Sequence, residues 1–115
     1  MGHVPEKLLQ TLPRDIAIPA IVLFELEVGL AKSQEPDKRR NQLEALVDMI
    51  TVIPFAEEEA KSAAHIRAAL ESLGTPIGAM DVLIAGTALA NQHTLVTHNT
   101  KEFERIAGLS LEDWF

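Results

Sequence analysis

Four side chains capable of chemistry stand in stretches that otherwise read as apolar core. Glu25 lies in Phe24-Glu25-Leu26-Glu27-Val28-Gly29, and Asp81 in Pro76-Ile77-Gly78-Ala79-Met80-Asp81-Val82-Leu83-Ile84-Ala85. Asn99 and Glu102 share Thr97-His98-Asn99-Thr100-Lys101-Glu102-Phe103. A carboxylate among Leu, Val and Ile loses hydration, so it persists only where a hydrogen bond or a cation compensates. Carboxylates brought together from separate segments are a common way for a protein to hold magnesium for phosphoryl chemistry.

Each of these residues also has a purely structural explanation. Glu25 has apolar neighbours one turn away, Ile21 and Val28, but so does Glu27, and a helix edge open to water would satisfy both. Asp81 falls in the first turn of the most apolar helix, where the macrodipole and the free amides favour an acid. Against this, the turn before a helix in an α/β fold faces the carboxyl edge of the sheet, where ligands bind. Asn99 and Glu102 have capping-box spacing, at N-cap and N3 of a short final helix. That helix follows a strand, so it too begins at the carboxyl edge. His3, His65, His93 and His98 show no metal-ligand spacing and no pairing with a carboxylate. There is no Gly-rich phosphate loop and no Ser-His-Asp arrangement.

The elements that must position these residues follow from periodicity and punctuation. Val4 to Leu12 reads as a short helix stopped by Pro13, and Asp15 to Ile18 as a strand ending at Pro19. From Ala20 to about Ser33 the pattern is helical and apolar on nearly every face, which predicts a buried helix. Gln34 to Asp37 is a loop. Lys38 to Met49 is an amphipathic helix with Leu43, Leu46, Val47 and Ile50 facing inward. Thr51 to Ile53 is a buried strand closed by Pro54. Glu57 to Leu73 is a long helix with acids in its first turn, Gly74 at its end, and Ile66, Leu70 and Leu73 on one stripe. Ala79 to Asn91 is a second buried helix, where small Ala85, Gly86 and Ala88 let a neighbour approach. Thr94 to Thr97 is a strand, Lys101 to Ile106 a short helix, and Leu109 to Leu111 a last strand before Trp114. Short apolar strands alternating with helices predict a parallel sheet in an α/β sandwich.

Length and composition narrow the function classes. A chain of 115 residues is one domain, residues 1–115, able to bury about two-thirds of its unfolded surface. Hydrophobic content of 47% with 23% charged residues marks a globular chain. The net charge of −7 argues against a general nucleic-acid coat protein, which needs Lys and Arg to neutralise phosphates. It leaves a nuclease open, because bound divalent ions present positive charge locally. The basic residues able to guide a polyanion are Lys32, Lys38, Arg39, Arg40, Lys101 and Arg105. An acidic surface also suits a basic protein partner. The absence of cysteine excludes disulfides and thiolate metal sites. The N-terminus lacks the pattern of a signal peptide, and the apolar run Ile16 to Phe24 is interrupted by Pro19 and half the length of a membrane span. A cytoplasmic protein with no membrane association is the expectation.

Taken together, three motifs resemble the VapC-type PIN-domain ribonucleases, toxins of bacterial toxin-antitoxin pairs. They are Glu25-Leu26-x-x-Gly29, then Pro76-Ile77-Gly78-x-x-Asp81-x-x-Ile84-Ala85, then Leu95-Val96-Thr97-x-Asn99-Thr100-x-Glu102-Phe103 with Leu109 to Trp114 after it. The resemblance runs over nearly the whole chain in the right order. It implies a three-layer α/β/α sandwich with a short parallel sheet, whose acidic residues gather magnesium or manganese ions that activate water against an RNA phosphodiester. By the match, Glu25, Asp81, Asn99 and Glu102 occupy the active-site positions. Asp81 would be a direct metal ligand, Glu25 a ligand or the orienter of the attacking water, and Asn99 and Glu102 would complete the shell through water. The resemblance further implies structured RNA such as transfer RNA as substrate, a cognate antitoxin as partner, and a homodimer.

One departure from the family is plain. Its members begin with a central strand carrying Asp-Thr-Asn, whose aspartate is a principal ligand, and this chain begins after it. The expectation is a sheet lacking that N-terminal strand and a weakened or inactive nuclease. The rival reading is a non-catalytic PIN-like module that binds antitoxin or its own copy without cutting RNA. A phosphatase or receiver-like acidic domain is the weaker alternative, since no strand here ends in the aspartate those folds require.

Overall fold

The computed structural model describes residues 16–113. In chain order the elements are β1 (Ala17–Pro19), α1 (Ala20–Ala31), α2 (Pro36–Met49), β2 (Thr51–Ile53), α3 (Glu57–Ser72), α4 (Ala79–Ala90), β3 (Leu95–Val96), α5 (Thr100–Phe103) and β4 (Leu111–Glu112). The helix expected at Val4–Leu12, Pro13, the strand residue Asp15 and Trp114 lie outside the described residues.

The boundaries follow local chemistry. Pro19 closes β1 and immediately precedes α1, because its fixed φ of −64° suits both an extended end and a helix entry. Pro36 opens α2, a position that needs no backbone donor, so this helix starts two residues before Lys38. Gly74, at φ +73°, ends α3 in the left-handed conformation that glycine adopts without strain.

Every strand pairing among the described residues is parallel, as the alternation of strands and helices requires. β1 pairs with β2 in the register Ala17 to Thr51, Ile18 to Val52 and Pro19 to Ile53, with α1 and α2 forming the crossover. β3 pairs with β4, Leu95 to Leu111 and Val96 to Glu112, with α5 between them. These are two separate two-stranded sheets.

The core is built on α3 and α4. Ala63, Ile66 and Leu70 of α3 meet Val82 and Ala85 of α4, and Phe103 and Ile106 close the cluster from the far end of the chain. The helices approach closely at Gly86, as the small residues of α4 predict. A Cβ placed there would lie 2.6 Å from the Cβ of Ala63 and 2.7 Å from its Cα and N. Only glycine fits such a crossing.

A polar clasp holds the same two helices together at the other end of their contact. Glu59 is only 7% exposed, yet its carboxylate is fully engaged. Oε1 accepts from the Ala56 amide at 2.9 Å, and Oε2 accepts from Asn91 Nδ2 at 3.0 Å. Asn91 Nδ2 also donates to the Thr87 carbonyl at 2.8 Å. The Ala56 and Asn91 bonds hold the Glu59 pKa below its ordinary value of 4.5. The folded chain therefore binds this proton more weakly than the unfolded chain. Glu59 adds stability above its ordinary pKa, and the contribution is lost as pH falls through the depressed folded value. Glu59→Gln would set an amide NH2 against that of Asn91. The variant should melt lower than the parent at neutral pH, with a gap that narrows in acid. A gap that stays constant in thermal melts from neutral pH to below the carboxylate range would contradict this account.

Three burial expectations fail. α1 is apolar around its whole circumference, but only Leu30 is buried, and Phe24 (57%), Leu26 and Val28 are exposed. Leu46 of α2 is exposed rather than inward, beside Met49 at 57%, and no residue of α2 is buried. The α3 stripe ends at Leu70, because Leu73 (73% exposed) lies past the last turn and beyond the core. Periodicity reports which side chains share a face, and a neighbouring element decides whether that face is covered.

Candidate functional site

The acidic residues come from three elements. Asp81 lies in the first turn of α4, Glu102 in the single turn of α5, and Glu25 in the middle of α1. Asp81 is half-buried, and its pKa is raised above the ordinary 3.8. Burial is the largest cause, followed by a side-chain hydrogen bond with Glu102 and then by the charges of Glu102 and Glu25. Two carboxyl groups thus share a contact, and a third acts on Asp81 through its field.

Glu27 takes a different part. Its Oε2 is engaged by Arg40 Nη1 of α2 at 3.1 Å, an exposed ion pair. Sequence periodicity left Glu25 and Glu27 equivalent, and the structure separates them: the charge of Glu25 acts on Asp81, while Glu27 pins α1 to α2. Among the described residues, no lysine or arginine pairs with Asp81, Glu102 or Glu25.

Asn99 reaches the site by a route other than the expected capping box. Its side chain makes no cap bond to α5, and its Nδ2 donates to Glu102 Oε2 at 2.8 Å. The backbone amide of Asn99 donates to Thr97 Oγ1 at 3.1 Å, so Glu102 does not receive it. A helix of one turn gives the N3 carboxylate little reason to fold back, and the amide of Asn99 orients that carboxylate toward the acid site instead. The result is a chain of polar contacts, Thr97 to Asn99 to Glu102 to Asp81.

Gly78 matters for access. It is the N-cap of α4, and a Cβ there would come within 3.3 Å of Asp81 Oδ2. Its bare Cα leaves that oxygen open to water or to a ligand. One histidine expectation is corrected, because His98 Nδ1 lies 3.4 Å from Asp113 Oδ2, joining the end of β3 to the residue after β4.

Among the described residues no three carboxylate or imidazole groups gather tightly enough to hold a metal ion between them alone. The donors that do converge are hard carboxylate oxygens, which suit magnesium or manganese, and magnesium keeps several waters in place of protein ligands. Asp81 with Glu102, under the field of Glu25, fits an ion bound partly through water. No helix among the described residues is long and apolar enough to cross a membrane.

Comparison with known proteins bears on the family and the fold. The PIN domain family matches residues 3–109. The tRNA(fMet)-specific endonuclease VapC of Shigella flexneri is 39% identical over 99 residues, covering 86% of this chain and 75% of that protein. Ribonuclease VapC2 of Rickettsia felis is 40% identical over 99 residues, with 86% and 74% covered. Among solved structures, DNA-bound VapBC from Salmonella typhimurium superposes with a TM-score of 0.83 at 37% identity, covering 86% of this chain and 75% of the other.

Proposed function

From the premise that this chain belongs to the PIN-domain family and is akin to its VapC ribonucleases, we propose that its acid pair cuts RNA phosphodiester bonds with a divalent metal ion. The observation that carries this reading is the contact of Asp81 with Glu102 in the field of Glu25, with no basic side chain among the described residues to offset it. A carboxylate whose affinity for a proton is raised by acidic neighbours marks a site whose charge a cation relieves.

Placement supports a role for each residue. Asp81 and Glu102 would hold magnesium or manganese, which when bound lowers the pKa of a coordinated water and polarises the phosphoryl oxygen. Asn99, by its bond to Glu102 Oε2, fixes that carboxylate's rotamer. Glu25, on α1, would serve as a further ligand or orient the attacking water through its carboxylate. Gly78 leaves the space in which a phosphate can approach Asp81.

Transfer RNA is the substrate class we infer, since a relative from Shigella flexneri carries that specificity in its name. A cognate antitoxin is the partner, supported by the solved VapBC relatives and by the exposed apolar side chains Phe24, Leu26, Val28, Leu46 and Met49 on α1 and α2. A homodimer is a further part of the proposal. One observation favours the rival, binding without cutting: among the described residues no three acidic or imidazole side chains form a group that could hold an ion.

Incubating the chain with a fluorescent single-stranded RNA and with transfer RNA, in manganese, magnesium or chelator, separates the two. Cleavage that chelator abolishes is the expected result. Cleavage undiminished by chelator would refute the metal mechanism, and no cleavage with either ion would favour the binding module.

A further inference from the structure

We propose that Arg105 is a positioning residue for the acid pair, tying the segment that leads into Asp81 to the turn that carries Glu102. Its Nη1 donates to the Pro76 carbonyl at 3.2 Å, across 29 positions of sequence. Its own backbone amide donates to the Glu102 carbonyl at 3.3 Å. One residue therefore links the two parts of the site, its side chain holding the segment before α4 and its backbone the turn that carries Glu102.

The connection from α3 to α4 needs such an anchor. Thr75, Pro76 and Gly78 are exposed, and Ile77 is the residue of this segment that packs against the core. The Thr75 amide donates to the Leu70 carbonyl at 2.9 Å, which fixes the start of the segment. Pro76 has no amide to give, so its carbonyl is the handle by which the middle can be held. Two residues later Gly78 forms the N-cap of α4 and lies against Asp81. Displacement of Pro76 is thereby transmitted to the Asp81 carboxylate, and an error of about 1 Å at a reacting centre can cost about 10²-fold in rate. A planar guanidinium holds a carbonyl with less loss of freedom per bond than a lysine ammonium does.

The inference rests on Asp81 and Glu102 being the working pair. The test compares Arg105→Ala, Arg105→Lys and Asp81→Asn, each checked for folding by circular dichroism. The readouts are manganese binding by calorimetry, amide exchange at Ile77 and Gly78, and the split of RNA cleavage into kcat and KM. Because the Arg105 bond is open to solvent, for Arg105→Ala we expect manganese affinity to fall about 3- to 10-fold, faster exchange at both amides, and a lower kcat with KM within about twofold. Arg105→Lys should recover part of each.

A raised, salt-sensitive KM with manganese affinity and amide exchange unchanged would mean that Arg105 grips RNA phosphate, and the positioning role would be overturned. Parent-like values in every readout would overturn it as well. Parent-like manganese binding and cleavage by Asp81→Asn would instead refute the acid-pair reading itself. An effect of Asp81→Asn without one of Arg105→Ala would refute the positioning role alone.

Discussion

Asp81→Asn is expected to lower metal-dependent RNA cleavage by at least about 10²-fold, beyond the 10- to 100-fold typical of losing a supporting partner, and to raise the melting temperature of the metal-free protein. The two effects have one cause. In the fold, burial and the neighbouring Glu102 and Glu25 raise the Asp81 pKa, so the ionised side chain is held less favourably than in the unfolded chain. That cost is present above the raised folded pKa and is relieved as pH falls through it toward the ordinary 3.8. The asparagine variant removes the charge and keeps the shape, so its advantage should be visible at neutral pH and should shrink in acid.

Adding manganese should stabilise the parent by mass action and leave the variant unmoved. Thermal melts with and without the ion, run beside the cleavage assay, make the comparison. A variant that cleaves like the parent would remove Asp81 from the site. A variant that loses activity but melts lower at neutral pH would mean that the carboxylate is favourably held without metal, contrary to the repulsion described above.

Gly86→Ala should be the most damaging small substitution in the core. In an ordinary helix interior the change would stabilise by about 1 kcal/mol, because alanine is the better helix former. Here the new methyl meets Ala63 Cβ at 2.6 Å and Ala63 Cα and N at 2.7 Å. Two of those three atoms are backbone, which no rotamer change can move aside. The helices must separate, and overpacking of this kind costs about 1–3 kcal/mol and sometimes more. A net loss of about 2 kcal/mol, or roughly 10 °C in melting temperature, is the expected balance. Pairing it with Ala63→Gly removes only the Cβ contact, so rescue should be partial. A Gly86→Ala protein as stable as the parent would show that α3 and α4 are not so closely apposed in solution.

What the sequence offered for this candidate site was a set of residues rather than their contacts. Glu25, Asp81, Asn99 and Glu102 are recognisable because polar groups in apolar stretches need a reason to be there. The close crossing of α3 and α4 was equally legible, since Ala85, Gly86 and Ala88 leave room that only a neighbour can fill. Periodicity alone could not choose between Glu25 and Glu27, because the difference depends on Arg40 arriving from α2 to engage one of them. Nor was the true use of Asn99 legible, since capping-box spacing fits a short helix whether its side chains bond the backbone or each other. Arg105 stood out only as a basic residue, because its partner is a carbonyl and a carbonyl has no signature in sequence. The open faces of α1 and α2 show the same limit, as periodicity cannot tell a core from a surface awaiting a partner.

The tight crossing at Gly86 also bears on how the molecule forms. α3 and α4 are neighbours in sequence, so bringing them together closes a short loop, whereas pairing β1 with β2 must first close the whole α1–α2 crossover. Contacts between near neighbours form early and set the pace of folding. Substitutions at Ala63 or Gly86 should therefore slow refolding, whereas changes at Asn99, Glu102 or Arg105 should mainly hasten unfolding. The helical hairpin would act as the nucleus, and α5, a single turn attached late, would be among the first parts to open. If Glu102 serves the proposed cleavage, activity should be lost by local fraying of α5 at temperatures where the far-ultraviolet signal reports no melting.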